Sequence, residues 1–340
     1  MTKSNACGKM KKNIRSKTML YSFIPFEYLS IIAIIAVPLL SFVLIKGFAK
    51  KLATDRGKEF DVPQGELSRG KITGAGIFFV IAYIIGSLLF VPVSIEYSIY
   101  YALIFIEMMS GFLDDCAKIP WGEYKKGLID LVVSALMSLT FVHYNPELLN
   151  ISIFGFSFGV NKIIYVILGA ILVWLMINAV NCCDGIDGYS SVLSIIAYAS
   201  CCVVIVINKG DTKAIFATVL MTLVLLPYLW YNANPSTILM GDAGSRALGL
   251  LLALLLMKTG NALLVIPLCA LIIVDGLLGI VKVSVIRFFH IKGFMKNIRT
   301  PIHDHLRKNK NWSNTQVIYR LSILQLIISA VTILGVITLK

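Results

Sequence analysis

The chain has 340 residues, of which 58% are hydrophobic and only 14% charged, with a formal net charge of +13. Its mean hydropathy is +0.84, and its charged fraction falls far below the roughly 25% of soluble domains, which excludes a water-soluble globular class. The charge that exists is confined to short segments between apolar runs, so the fold class is all-α, a polytopic integral membrane protein.

In chain order, residues 1–18 form a polar, basic tail holding Lys3, Lys9, Lys11, Lys12, Arg15 and Lys17, predicted to be disordered. A single transmembrane domain follows over 19–340. Its first apolar run lacks the small-residue cleavage pattern of a signal peptide. Runs approaching the ~20 residues of a membrane span occur over 27–46, 73–93, 98–113, 127–143, 162–178, 189–207, 213–231, 244–257, 261–286 and 316–338. They are continuously apolar rather than alternating, which favours about ten helices over a barrel. The third and eighth are short, as expected if their polar ends sit below the membrane surface. The seven cysteines include the neighbours Cys182–Cys183 and Cys201–Cys202; none has zinc-site spacing, and all read as small apolar residues.

Lysine and arginine fix the orientation. The loops after odd-numbered helices hold 20 of them and those after even-numbered helices hold 4. The positive side of a membrane protein faces the cytoplasm, so both termini are expected outside. The basic tail is the one dissent, removed if the chain naturally starts at Met19.

Four polar motifs fall in odd-numbered loops, which places them on one side. The first is Asp114–Asp115, followed by Lys118; adjacent carboxylates repel unless a cation or proton relieves them, and a hard divalent ion is the usual remedy. The second is Asn178, Asn181, Asp184 and Asp187, spaced by three and therefore on one face if helical, with Gly185 and Gly188 admitting a ligand close to backbone. After Asn232 comes the third, Gly241-Asp-Ala-Gly-Ser245, opening the eighth helix, where Asp242 can ligate a metal and the helix start can receive a phosphate. The fourth is His303-Asp304-His305 in the longest basic loop, suited to donating hydrogen bonds to phosphate; zinc is its rival ligand. Carboxylates for a divalent cation, basic residues and a bilayer point together to phosphoryl transfer at a lipid phosphate. An ion-coupled transporter is the alternative from another class, with Glu107, Asp130 and Asp275 as intramembrane acids. No internal repeat of the kind transporters show accompanies them.

The strings Gly111-Phe-Leu-Asp-Asp115, Asn178-Ala-Val-Asn-Cys-Cys-Asp-Gly-Ile-Asp-Gly188 and Met240-Gly-Asp-Ala-Gly-Ser245 resemble the polyprenyl-phosphate N-acetylhexosamine-1-phosphate transferase superfamily. Thr300-Pro-Ile-His-Asp-His305 with Asn311-Trp-Ser313 looks like its phospho-N-acetylmuramoyl-pentapeptide transferase branch, over roughly residues 20–340. The resemblance implies transfer of phospho-MurNAc-pentapeptide from UDP-MurNAc-pentapeptide to undecaprenyl phosphate, with release of UMP, in peptidoglycan synthesis. It also implies Mg2+ as cofactor and a bacterial plasma membrane with the active site facing the cytoplasm. Carried over, Asp242 and Asp184 are metal ligands, and Asp114, Asp115, Asp184, His303 and His305 are catalytic. Lys118, Lys126, Asn178, Asn181, Asp187, Asn232 and Thr73 bind substrate, with Lys125 the alternative to Lys126. A direct attack and a covalent aspartyl intermediate both stay open. The lipid bilayer is the expected setting, a homodimer is compatible with it, and no nucleic-acid partner is expected. The sequence departs from the family at Asp304, which interrupts a triple histidine, at Arg307, where an acid is usual, at Ile72-Thr-Gly-Ala-Gly76, and at Leu239, where an aromatic often stacks on uracil. These departures bear on donor recognition and keep a UDP-GlcNAc-type transferase as the alternative within the class.

Overall fold

A computed structural model describes residues 24, 26–55, 68–153, 156–291 and 293–339; the basic tail over 1–18 lies outside them. Helices stand at all ten predicted positions. They are α1 (Phe26–Phe48), α2 (Gly76–Phe90), α3 (Ile95–Cys116), α4 (Glu123–Tyr144), α5 (Lys162–Cys183), α6 (Tyr189–Ile207), α7 (Thr212–Asn232) and α8 (Gly241–Lys258). A broken helix follows, in which Ala262–Leu268 meets α9 (Ala270–Phe288) at a 77° bend. The short α10 (Ile302–Lys310) precedes the last helix, α11 (Asn314–Thr338).

Several helix starts carry their own signals. Asn161 accepts a hydrogen bond from the Ile163 amide at the head of α5, and Asp211 does the same for Lys213 at the head of α7. Ser313 and Gln316 form a reciprocal capping box at α11, satisfying amides that a helix start leaves unpaired.

Six of these helices are long and apolar enough to cross a membrane on their own, or seven if the bent pair forms one span. The outer ones turn apolar side chains outward: Ile31, Ile35, Leu39 and Val43 on α1, and Ile323, Ile327, Val331 and Leu334 on α11, are exposed. A belt of this kind is tolerable in lipid and not in water. The chain is an all-α membrane protein.

α8 is the centre of the bundle. Every residue from Ala243 to Lys258 is buried, and the helix packs most extensively against α3 and α5. Its two interior cations are paired. Arg246 reaches Glu107 at 3.0 Å and also Asp130. Lys258 meets Glu96 at 2.6 Å and Asn145 at 2.7 Å, within 6 Å of the Tyr97, Tyr100 and Phe141 rings.

Four sequence expectations change. The third helix is not short, running 22 residues from Ile95 to Cys116, so Asp114–Asp115 sits in a helical turn rather than a loop. Arg246 and Lys258, expected as loop charges, are both buried within α8; setting these two aside removes one charge from each side and keeps the asymmetry. The histidine motif, expected in a loop, lies on α10. A two-stranded antiparallel hairpin, Asn150–Ile153 with Phe156–Gly159, joins α4 to α5; its apolar residues alternate with small ones, a strand period that a search for continuous apolar runs passes over.

Lys258 and Glu96 tie α8 to α3 at the end opposite the polar motifs. Removing one member of a buried ion pair strands the other. Lys258→Met is therefore expected to cost about 3 kcal/mol, read as a lower denaturation midpoint in detergent, with partial recovery in the double variant Lys258→Met/Glu96→Gln. An unchanged midpoint in the single variant would contradict the pairing.

Candidate active site

The last turn of α3, the C-terminus of α5, the turn before α6 and the N-terminus of α8 converge at one end of the bundle. Gly111 makes this approach close, because a methyl group there would overlap the Asp242 backbone. The first residue before α8, Met240, offers no side-chain cap. Asp115 supplies one from α3: its two oxygens accept the amides of Asp242 and Ala243, each at 3.2 Å. A carboxylate at that position also meets the positive end of the helix dipole.

Asp114 is buried beside it. One oxygen accepts the Trp121 amide at 2.6 Å, and the other lies 3.0 Å from Lys126 Nζ. The same ammonium is 3.6 Å from Asp242 Oδ2, so it bridges carboxylates from α3 and α8. Asn181 holds Asp242 from the other side, donating to Oδ1 at 2.8 Å and to Ser245 Oγ at 2.9 Å. Lys125 turns away, with its ammonium 3.3 Å from the centroid of the Trp121 ring. Of the two lysines, Lys126 is the one that faces the carboxylates.

Beside this cluster opens a cavity of about 360 Å³ lined by Asn181, Asp184, Asp187, Asn232, Leu239 and His303, among others. Asp184 caps α5, and among the described residues its carboxylate accepts no hydrogen bond. Burial, followed by the charges of Asp242, Asp115 and Asp187, holds it well above the usual carboxylate range. Such a group needs a cation or a proton. Asp187, by contrast, is engaged: both oxygens meet Lys71 Nζ, at 3.0 and 2.8 Å, and one accepts the Ser236 amide at 3.0 Å. Asn232 is buried and spans Gly188 N–H and the Ile238 carbonyl, both at 2.9 Å. These two residues fasten the cavity wall.

His303 is buried against Asp275, and Gly185 leaves room for its ring, since an added methyl would overlap Nε2. Its neighbour Asp304 faces Lys308 at 3.5 Å and Arg307 at 3.8 Å.

Not every predicted residue arrives. Asn178 lies deeper in α5, bonded to the Trp174 carbonyl at 2.9 Å and to Asp130 at 3.5 Å. The spacing of three puts Asn178 and Asn181 on the helix, but α5 ends at Cys183 and Asp187 follows in a turn, so the four do not share one helical face. His305 accepts the Arg299 amide at 3.3 Å and does not line the cavity. Thr73 is half-buried and Lys118 exposed, and neither lines it. Lys71 and Ser236 were missed, and Asp275 was seen only as an intramembrane acid. Lys71 looked like one more loop charge, and nothing near it in sequence points to Asp187, 116 positions away.

Among the described residues, no three acid, histidine or cysteine side chains form a ready-made metal cage. The pair Asp184 and Asp242 nevertheless suits a hard cation. Among the described residues one carboxylate accepts no hydrogen bond, and the other already shares a cation, the Lys126 ammonium. One or two carboxylates completed by substrate oxygens is the usual holding of magnesium.

An acidic, lysine-bridged cluster thus stands at one end of a bundle of apolar helices. The family model described as glycosyl transferase family 4 matches residues 97–260, the stretch carrying three of the four motifs. A phospho-N-acetylmuramoyl-pentapeptide-transferase of Treponema pallidum (strain Nichols) is 34% identical over 292 residues, covering 81% of this chain and 80% of the relative. Those of Sulfurimonas denitrificans and Brachyspira hyodysenteriae are 30% and 25% identical, covering 82% and 86% of this chain and 84% and 87% of their own lengths. The chain belongs to the phospho-N-acetylmuramoyl-pentapeptide transferase family.

Asp187→Ala removes the acceptor that holds Ser236, so its amide is expected to exchange with deuterium about tenfold faster. Exchange as slow as in the parent protein would contradict the clamp.

Proposed function

We propose that the chain transfers phospho-MurNAc-pentapeptide from its UDP carrier to undecaprenyl phosphate, giving the lipid-linked product and UMP in peptidoglycan synthesis. One observation carries the chemistry beyond the family name: the Lys126 ammonium lies between Asp114 and Asp242, with Asp184, which accepts no hydrogen bond among the described residues, close enough to feel the charge of Asp242. An oxygen of the lipid phosphate attacks the sugar-bearing phosphorus of the donor. The bond from that phosphorus to the bridging oxygen breaks, and UMP leaves with the electron pair.

Each residue then has a physical task. Lys126 attracts the phosphates and offsets their charge. Asp115 holds the start of α8, and with it Asp242, in place. Both oxygens of Asp114 and both of Asp115 are engaged, which favours direct attack by the lipid phosphate over an aspartyl-phosphate on either residue. Asp184 and Asp242 would hold Mg2+. When bound there, the ion would offset negative charge on the pyrophosphate. Asp187, Asn232 and Leu239 shape the cavity for the nucleotide.

The same reading takes all ten helices as spans, including α2, α3 and α8, and the loops after odd-numbered helices as cytoplasmic, in a bacterial plasma membrane. The lysine and arginine asymmetry supports that orientation. It brings a soluble nucleotide donor and a lipid phosphate to one boundary.

Purified protein given magnesium, undecaprenyl phosphate and UDP-MurNAc-pentapeptide is expected to release UMP, and UDP-GlcNAc is expected not to replace the donor. Turnover only with UDP-GlcNAc would correct the substrate; none with either would overturn the reading. Asp184→Asn and Asp242→Asn should each lower the rate at least about 100-fold. Each should also weaken Mn2+ binding followed by electron paramagnetic resonance, whereas Lys125→Met should do neither. Undiminished Mn2+ binding in both aspartate variants would contradict the metal site.

A further inference from the structure

α9 is not a plain helix. Residues Ile273–Leu277 form a π-helical turn, a distortion that is costly and frequent at functional sites. It carries Asp275, whose side chain is 1% exposed. One oxygen of Asp275 accepts the backbone amide of His303 at 2.6 Å, and the other lies 2.7 Å from His303 Nδ1. The carboxylate therefore grips both the start of α10 and the imidazole that α10 presents. The ring is buried as well, and Tyr189 meets it edge-on, with centroids 5.9 Å apart.

An ionised carboxylate can only accept, so Nδ1 must be the donor. In the neutral ring the other nitrogen then has no proton. Nε2 is the atom that an added methyl at Gly185 would strike, and His303 lines the cavity beside Asp184. It lies 3.9 Å from Asp304 Oδ1.

We propose that Asp275 is a positioning residue for His303, fixing the imidazole as the Nδ1–H tautomer so that Nε2 faces the carboxylate-lined cavity. Nε2 can then take up a proton from an arriving phosphate and hold it as a hydrogen-bond donor to phosphate oxygen. The positive ring formed stays balanced by Asp275. The π turn places the carboxylate under both the amide and the ring, so a single side chain sets the position of α10 and the identity of the protonated nitrogen. The catalytic part of this inference rests on the proposed phosphoryl transfer; the tautomer does not.

The chain has only four histidines, so nitrogen-15 histidine labelling gives a tractable spectrum, with the His303 signals identified by their loss in His303→Gln. At mildly basic pH the wild-type ring is expected to show a protonated Nδ1 and a bare Nε2. In Asp275→Asn the amide oxygen can still accept the His303 amide while its NH2 donates to Nδ1, which moves the proton to Nε2. The same variant should lose about 100-fold in kcat with the donor KM within about twofold. A wild-type ring protonated on Nε2 alone would overturn the inference, as would an unchanged tautomer in a folded Asp275→Asn protein. If that variant does not fold, the wild-type spectrum decides alone. If the protein transfers no phosphoryl group to any lipid, the spectra still decide the tautomer, and only the activity arm fails with the functional reading.

Discussion

Asp114, Asp115, Asp184 and Asp242 meet at one end of a bundle otherwise built of apolar side chains, and like charges that close together would drive the helices apart. The structure answers each one differently. Asp115 accepts two amides at a helix start, Asp114 meets Lys126 and an amide, and Asp242 accepts from Asn181 and has a share of Lys126. Among the described residues Asp184 accepts no hydrogen bond, and it stands where the cavity opens. A buried carboxylate so placed calls for a cation or a proton, which is the basis of the proposed magnesium site.

Keeping that end in register requires that α8 not slide. Its burial on every side gives shape, but apolar packing alone permits small shifts among the surrounding helices. Two interior ion clusters fix it. Arg246, one helical turn from Asp242, engages Glu107 on α3 and Asp130 on α4. Lys258 closes the far end with Glu96. Charges inside a bilayer are costly and persist only where they are paired. These pairs connect the rigidity of the bundle to the precision of the site, since Asp242 can stay near Lys126 only while α8 stays seated against α3.

Much of this was legible in the sequence. Ten apolar runs and their order follow from length and periodicity, and the four motifs carry enough chemistry to announce phosphate work. Partner choice was not legible. Lys126 and Lys125 are neighbours with equal claims until the turn at Gly122 sends one toward Asp114 and the other onto Trp121. Asp275 reads as an acid lost in an apolar helix, because its partner His303 lies 28 positions on, past the end of α9. Lys71 and Asp187 are further apart still. Local pattern fixes helices, whereas such pairs depend on which helix faces which. The stretch around His303, expected as a loop, resisted reading for a related reason: the start of α10 is held by Asp275, 28 positions away, and not by hydrophobic period.

The central claim is that residues from four helices act as one site. A double-variant cycle on Asp184 and Asp242 tests it most directly, comparing kcat/KM for UMP release in Asp184→Asn, Asp242→Asn and the combined variant. Groups that serve one cation lose their effect together, so the combined variant is expected to fall no further than the worse single variant, within about threefold. Losses that multiply in the combined variant would mean that the two carboxylates act independently and would contradict the single site.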